Sequence, residues 1–128
     1  SHLEITAESK AIQKEIENSE YDLKRARNSF DEDDFKWTAI QSYYSMFHAA
    51  KALVFKKGYR EKSHYCLIVA LKELYVKNDE LNIDMVENIE LCMNLRHEAD
   101  YGLSYTQESA ETALKYAENF LDTAINLL

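Results

Sequence analysis

The chain has 128 residues, enough for one domain with a hydrophobic core that needs no covalent cross-links. Two glycines and no proline are too few turn-forming residues for an all-β protein. A formal net charge of −8, from 23 acidic and 15 basic residues, argues against broad, non-specific binding to nucleic acid. We therefore predict a single all-α domain over residues 1–128. We also expect a cytoplasmic location and no membrane contact, because neither a signal peptide nor an apolar run of membrane-spanning length stands out.

The first predicted helix covers residues 4–30. Its buried seam steps by three, four or seven residues, the spacing of side chains that pack one helix on another. The seam residues are Ile5, Ile12, Ile16, Ser19, Leu23, Ala26 and Phe30. The acidic run at residues 31–34 has no glycine and no alternation of ligands, so it does not fit a calcium loop. We interpret it as a turn whose last aspartates cap the next helix.

The second helix, predicted over residues 37–57, is the one around which the others are expected to pack. Its apolar side chains cover well over half of its circumference, more than the ~100° stripe of an ordinary surface helix. These side chains are Trp37, Ile40, Tyr43, Tyr44, Met46, Phe47, Ala50, Leu53, Val54 and Phe55. Gly58 is predicted to end the helix in a left-handed conformation. Several neighbours must cover such a helix, so we place it at the centre of a bundle.

Three further helices are predicted after this point. The third begins after Ser63 and ends at residues 77–79. The fourth begins at Asn82 or Asp84 and ends near Tyr101. The fifth begins after Ser104 or Thr106, where Ser104 and Gln107 fit a capping box. The short connections favour antiparallel neighbours. The predicted architecture is an all-α, up-and-down antiparallel bundle of about five helices, with a four-helix core and one short helix.

Two opposite charges interrupt the apolar stripe of the fourth helix. Its members, spaced three or four residues apart, are Ile83, Val86, Ile89, Met93, Arg96, Asp100 and Leu103. Arg96 and Asp100 can pair, although burying such a pair costs desolvation free energy. Two explanations stay open: a bridge that specifies helix register, or an arginine presented to a cleft, where it could bind phosphate bidentately. Tyr101, about 140° around the helix from Arg96, reaches such a cleft only from its edge.

The histidines are further candidates for this cleft. Tyr44 and His48 lie four residues apart at the margin of the apolar arc, and His64 lies near the start of the third helix. His97 follows Arg96 directly. A lone histidine at such a margin can equally be a structural residue of the core boundary.

No cofactor or metal site is predicted. The histidines and cysteines form no pair at metal-ligand spacing, and no nucleophile elbow, Walker loop or dinucleotide fingerprint occurs. We interpret Cys66 and Cys92 as small buried hydrophobic residues of a reducing compartment.

Five cations lie within twelve positions around the end of the second helix: Lys51, Lys56, Lys57, Arg60 and Lys62. Cations are favoured at a helix C-terminus, so the run can be a solvated helix end and loop. It can also be a basic patch that contacts phosphate or RNA. Both interpretations stay open.

Three ordered blocks of the chain resemble the HEPN domain family (higher eukaryotes and prokaryotes nucleotide-binding), most closely its small stand-alone prokaryotic members. Residues 43–50, YYSMFHAA, are similar to the family's YYAMFHAA helix. Residues 62–64, KSH, match its Lys-x-His, and residues 96–102, RHEADYG, match its R-x-x-A-D-Y-G ending. The resemblance covers roughly residues 20–125, and the order and spacing of the blocks make it fairly specific.

The resemblance implies an all-α bundle, usually dimeric, whose polar motifs line a cleft. It also implies a setting among toxin–antitoxin and defence systems, often beside a minimal nucleotidyltransferase. Some members are metal-independent ribonucleases with an R-x4-6-H motif at a dimer cleft. Here Tyr101 stands where the motif needs histidine, and His97 comes too early. What carries over is a polar cluster of Arg96, Asp100 and Tyr101, with Tyr44, His48 and His64 as candidates to join it.

Three functional hypotheses follow. The favoured one is a dimeric module that binds nucleotide or RNA phosphate through Arg96 and works with a minimal nucleotidyltransferase, for which Tyr101 would be a candidate target of modification. The first alternative is a metal-independent ribonuclease toxin in which Arg96 acts with His48 or His64 as the proton shuttle. The second alternative is a helical scaffold that only dimerises.

Overall fold

Five α-helices follow one another in the described parts of the chain. The computed structural model describes the backbone of residues 2–60, 63–100 and 105–128, and the side chains of residues 8–60, 63–96 and 105–128. The helices are α1 (His2–Asp31), α2 (Phe35–Lys56), α3 (His64–Leu71), α4 (Ile83–Asp100) and α5 (Gln107–Leu127). They form the predicted all-α, up-and-down bundle. None of these helices, as far as they are described, combines the length and hydropathy needed to cross a bilayer.

Helix α2 lies at the centre of the bundle, as its wide apolar surface predicts. It contacts all four other helices, most extensively α1 and α5. Twelve of its residues are buried, including Tyr43, Met46, Leu53 and Val54. Trp37 differs from the expectation: its side chain is 50% exposed, since it lies in the first turn of α2 beside the exposed acidic turn.

The packing of α1 on α2 explains why a serine belongs to the seam of α1. Ser19 and Ser45 are both fully buried. The Ser19 hydroxyl donates to the Ser45 carbonyl at 2.6 Å, and the Ser45 hydroxyl donates to the Ser19 carbonyl at 2.9 Å. These reciprocal bonds satisfy both polar side chains, and the small residues let the two backbones approach closely.

The helix ends follow the predicted capping chemistry. The side chains of Asp34 and Ser63 each accept a hydrogen bond from the backbone amide three residues further on, at 3.3 Å and 3.0 Å. Gly58 adopts the left-handed conformation with φ +87° after α2. Thr106 caps α5 at 3.0 Å, while the capping box predicted at Ser104 lies outside the described residues.

A π-helical segment, Lys72–Val76, continues α3 and brings Tyr75 into the core. The tyrosine is 1% exposed, and its hydroxyl donates to the Leu53 carbonyl of α2 at 2.5 Å. Burial, together with the nearby Glu80 carboxylate, raises the pKa of Tyr75 to about 12, so the hydroxyl keeps its proton and remains a donor. The sequence pattern predicted a helix that ends at residues 77–79, but it did not predict the π-helical geometry of Lys72–Val76.

The two cysteines have different surroundings. Cys92 is fully buried, as predicted, and burial raises the pKa of its thiol to about 12. Cys66 is exposed, so its predicted burial is wrong. The reason is the short α3, which packs Leu67, Ala70 and Leu71 inward and leaves Cys66 on its outer side.

We expect Tyr75→Phe to lower the free energy of unfolding by about 1 kcal/mol, because the ring stays packed while the hydrogen bond to Leu53 is lost. Urea unfolding followed by circular dichroism measures this change. Tyr21→Phe, at a tyrosine that is 62% exposed, is the matched control and should leave the midpoint unchanged. Equal midpoints for Tyr75→Phe and the wild type would show that this hydroxyl does not stabilise the fold.

Candidate functional site

Arg96 of α4 lies against two tyrosines of α2. Of the earlier positions of its stripe, Val86 and Ile89 are buried and Met93 is partly buried, whereas Ile83 is 38% exposed; Arg96 itself is partly buried. Its Nη1 donates to the Tyr44 hydroxyl at 2.8 Å. The guanidinium carbon lies 5.6 Å from the ring centre of Tyr43 and 5.6 Å from that of Tyr44. Cation–π attraction and the hydrogen bond therefore both fix the guanidinium at the α2–α4 interface.

Two of the residues predicted beside Arg96 cannot be placed around it. Asp100 is the last residue of α4, but its side chain lies outside the described part of the structure, and so does Tyr101. The Arg96–Asp100 pair remains a prediction. Among the described residues, the tyrosines of α2 supply contacts that hold Arg96 in place.

His64 reaches the same cluster through Tyr43. It is the first residue of α3, and its Nδ1 is hydrogen-bonded to the Tyr43 hydroxyl. Its ring packs on Phe47 with 4.4 Å between ring centres. Burial raises the pKa of Tyr43 above its ordinary value, against the opposing effect of the Arg96 charge. The phenol stays protonated, and when it donates to Nδ1, a neutral His64 carries its proton on Nε2.

His48 points to the other side of α2. Its Nδ1 lies 2.7 Å from Oε2 of Glu15, and its Nε2 lies 3.5 Å from Oδ2 of Asp22, both on α1. Lys51 joins the same group, with Nζ 3.2 Å from Oε1 of Glu15. These contacts direct His48 toward α1, so it belongs to a separate polar cluster from Arg96. Sequence spacing could not show this, because His48 lies at the margin of the apolar arc of α2, where its side chain could contact either neighbouring helix.

The cations of the predicted basic patch do not form one group: Lys57 contacts Glu80 and Tyr75, whereas Lys51 and Arg60 contact Phe55. Lys57 forms an ion pair with Glu80 at 2.9 Å and lies 4.8 Å from the ring centre of Tyr75. Lys51 and Arg60 lie over the Phe55 ring, at 5.8 Å and 4.9 Å from its centre. Of the remaining two, Lys56 is exposed and Lys62 is outside the described residues.

The sequence pattern does not predict the contacts of Tyr43 and the phenylalanines. It places Tyr43 in the core stripe, yet the hydroxyl and ring of this residue connect His64 to Arg96. The cation contacts of Phe47 and Phe55 could have been found, because both lie four residues from Lys51 on one helix face. No group of three or more His, Cys, Asp or Glu side chains that could hold a metal ion occurs among the described residues.

A sequence profile of the HEPN domain matches residues 12–127, which is most of the chain and includes α2, Arg96 and His64. The chain belongs to the HEPN domain family. This agrees with the resemblance of the three sequence blocks and with the observed helical bundle.

Two relatives from Methanocaldococcus jannaschii have the words "putative toxin" in their names. The chain is 29% identical over 113 residues to "Putative toxin MJ0142", covering 87% of this chain and 77% of that protein. It is 32% identical over 112 residues to "Putative toxin MJ0605", covering 87% and 84%. A "UPF0332 protein" of Archaeoglobus fulgidus is 30% identical over 118 residues, covering 87% and 90%.

A solved structure shares the fold of this HEPN protein. The crystal structure of TT1696 from Thermus thermophilus superposes with a TM-score of 0.79, covering 91% of this chain and 98% of that one. At 21% sequence identity, this likeness shows the common fold alone.

We expect the substitution Asp22→Asn, in the polar cluster between α1 and α2, to stabilise the fold relative to the wild type, and this gain to increase as pH rises. Burial raises the pKa of Asp22, while the His48 charge lowers it less. The folded state therefore holds this proton more tightly than the unfolded state, so ionisation of Asp22 costs stability above its ordinary pKa of 3.8. The Tm of the variant minus that of the wild type should therefore increase from pH 4 to pH 7.

Thermal unfolding of both proteins across this pH range measures the effect, with the exposed Asp122→Asn as the control variant. A variant that instead loses stability relative to the wild type with rising pH would show that the attraction between Asp22 and His48 outweighs the cost of burial.

Proposed function

We propose that this HEPN protein is a module that binds the phosphate groups of nucleotides or RNA through Arg96. The observation that supports this is the position of its guanidinium, which two tyrosine rings and the Tyr44 hydroxyl hold at a partly exposed site. A planar guanidinium fixed in this way can add charge-assisted hydrogen bonds to a phosphate without first losing side-chain entropy.

The presence of an arginine at position 96 also supports a binding role. Arg96 continues an apolar stripe in which leucine or methionine would pack α4 on α2 at no desolvation cost. The tyrosines compensate for part of the cost of the charge, but their own packing does not require it. A ligand of opposite charge gives a reason for keeping arginine at such a position.

The proposed setting is a toxin–antitoxin-like system in which the protein is a dimer and works with a minimal nucleotidyltransferase. The names of the two Methanocaldococcus relatives support the toxin-like setting. The dimer and the nucleotidyltransferase follow from the resemblance of the motif blocks to HEPN proteins. The scaffold alternative, in which the helices only dimerise, predicts no ligand for Arg96.

A second candidate function is a metal-independent ribonuclease. Such an enzyme needs a cation to stabilise the phosphorane and a group that transfers protons. His64 supports this hypothesis better than His48, because the Tyr43 hydroxyl connects His64 to the ring on which Arg96 lies. His48 is hydrogen-bonded to Glu15 instead.

We expect Arg96→Ala to weaken nucleotide binding by about 10- to 100-fold, the effect of losing a charged hydrogen-bonding partner. Arg96→Lys should retain part of the affinity, since it keeps the charge but not the planar fork. Isothermal titration with ATP measures both, and circular dichroism checks the fold. The control is Arg27→Ala, an exposed arginine of α1 paired with Glu118. If ATP binds neither the wild type nor any variant, or if Arg96→Ala binds it normally, Arg96 is a structural residue.

For the ribonuclease, we expect cleavage of single-stranded RNA in the presence of EDTA that is lost in His64→Ala and kept in His48→Ala. Denaturing gel electrophoresis of a labelled RNA measures cleavage. The two histidine variants are controls for each other, because each removes one imidazole next to Phe47. Absence of cleavage by the wild type would eliminate this candidate, as would equal cleavage by His64→Ala.

A further inference from the structure

A pocket of about 520 Å³ opens on the outer side of α3, beside the end of α2. It is lined by Tyr59, which follows α2, and by Tyr65 in the first turn of α3; these tyrosines are 54% and 74% exposed. The volume is within the ~300–1,000 Å³ that is usual for small-molecule sites. Because Arg96, Tyr43 and Tyr44 do not line it, this pocket is separate from the Arg96 site. We call it the α3 pocket.

The base of the α3 pocket is apolar and its tyrosine rings are accessible. Ala70 is buried and Leu74 is partly buried, so they lie deepest in the pocket, and Val69 is exposed beside them. Among the described residues, neither Tyr59 nor Tyr65 packs its ring on another ring or on a cation. A contiguous exposed apolar surface of this kind marks a binding site more often than a single exposed side chain does.

Glu73 supplies the only charge among the described residues that line the α3 pocket. Its Oε2 lies 3.1 Å from Lys77 Nζ, and both side chains are exposed. Such ion pairs at a protein surface are weak, so a second cation can compete for this carboxylate. The Oε1 atom of Glu73 has no partner in the described part of the chain.

The π-helical segment Lys72–Val76 brings this carboxylate to the apolar base. Within it, Tyr75 is buried in the core, while Glu73 and Leu74 line the α3 pocket. Short π-helical turns that interrupt or extend an α-helix are rare and occur frequently at functional sites. The hydrogen bond of Tyr75 to α2 stabilises the segment, and the position of Glu73 beside the pocket is a second consequence of the same geometry.

We propose that the α3 pocket binds an organic ammonium ion with an apolar body. The charge of the ligand pairs with Glu73, and its apolar part lies on Ala70, Leu74 and the tyrosine rings. The negative faces of these rings attract a cation as well. An anion would meet the Glu73 carboxylate with no lysine or arginine among the lining residues to compensate for it. This inference concerns a second site and does not rest on the proposed phosphate binding by Arg96.

Charge also distinguishes this ligand from a second copy of the chain. An identical surface placed over the α3 pocket would desolvate Glu73 of both copies without adding a new cation. Both copies would also carry a net charge of −8, which opposes their association. A free ammonium ion brings the charge that the pocket lacks, and the same net charge attracts it.

Nuclear magnetic resonance titrations with three ligands that share one phenyl ring test the proposal: phenethylammonium, neutral 2-phenylethanol and the phenylacetate anion. The methyl resonances of Val69 and Leu74 report binding. We expect the ammonium to bind saturably with a Kd on the order of 1 mM. It should bind about fivefold more tightly than the alcohol, and the anion should not bind.

Two variants of the Glu73–Lys77 pair should act in opposite directions. Glu73→Gln should remove the preference for the ammonium over the alcohol, because it removes the carboxylate. Lys77→Gln should increase the affinity for the ammonium, because it removes the competing cation. The matched control is Glu111→Gln on α5, where Glu111 and Lys115 form an exposed pair with the same four-residue spacing.

The aromatic contribution has its own variants. Tyr65→Leu should weaken ammonium binding about threefold, the effect of losing one cation–π contact at an exposed site. Tyr21→Leu, which removes an exposed ring from α1, should leave it unchanged. ATP binding should be the same in Glu73→Gln as in the wild type, so that a failure at the α3 pocket is distinguishable from a failure at Arg96.

Equal affinities for the ammonium and the alcohol would overturn the proposal, as would an ammonium affinity that Glu73→Gln leaves unchanged. An equal loss of affinity in Glu111→Gln would overturn it too, because that loss would show unspecific attraction to an acidic surface. Light scattering supplies a last outcome. A dimer that Tyr65→Leu converts to monomers, in a protein that the ammonium does not bind, would make the pocket a subunit interface.

Discussion

The packing of α2 is the constraint on which the rest of the molecule depends. Its apolar side chains cover more than half of its circumference, so α1, α3, α4 and α5 all have to contact it. These neighbours leave Tyr44, Phe47, Lys51 and Phe55 of α2 only partly buried. The candidate site is therefore a consequence of how a central helix is incompletely covered.

Several polar groups within the core are satisfied by partners across helix interfaces, and Arg96 differs from them in its charge. Ser19 and Ser45 satisfy each other, and Tyr75 donates to a backbone carbonyl of α2. Both arrangements are neutral and pack two helices closely, so a structural role explains them. Arg96 brings a full charge to an interface that helix packing alone would leave apolar, and two tyrosine rings contact it. These contacts orient the guanidinium, and a bound phosphate would make use of that orientation.

Much of the fold could be predicted because it depends on local chemistry. The helix seams, the central position of α2, the caps at Asp34 and Ser63 and the left-handed Gly58 all follow from residue type and spacing. The π-helical segment was not predictable, since it arises from the fit of Tyr75 into the core rather than from local sequence. The exposure of Cys66 depends on the length and orientation of α3, which periodicity does not determine. The direction of His48 likewise depends on where the α1 carboxylates lie. The placement of Arg96 on an apolar stripe was the most informative sequence signal, although its contacts with the Tyr43 and Tyr44 rings are tertiary.

The central claim is that the Arg96 guanidinium, held by two tyrosines, is the group that receives phosphate. The most direct measurement is the nuclear magnetic resonance spectrum of the arginine side-chain N–H groups, of which this chain has four sets, at residues 25, 27, 60 and 96. Titration of ATP into the labelled protein should shift the Arg96 Nε–H resonance saturably, while the resonances of Arg25 and Arg27 stay in place. A spectrum in which Arg96 does not move at saturating ATP, or moves no more than the two α1 arginines, would contradict the account.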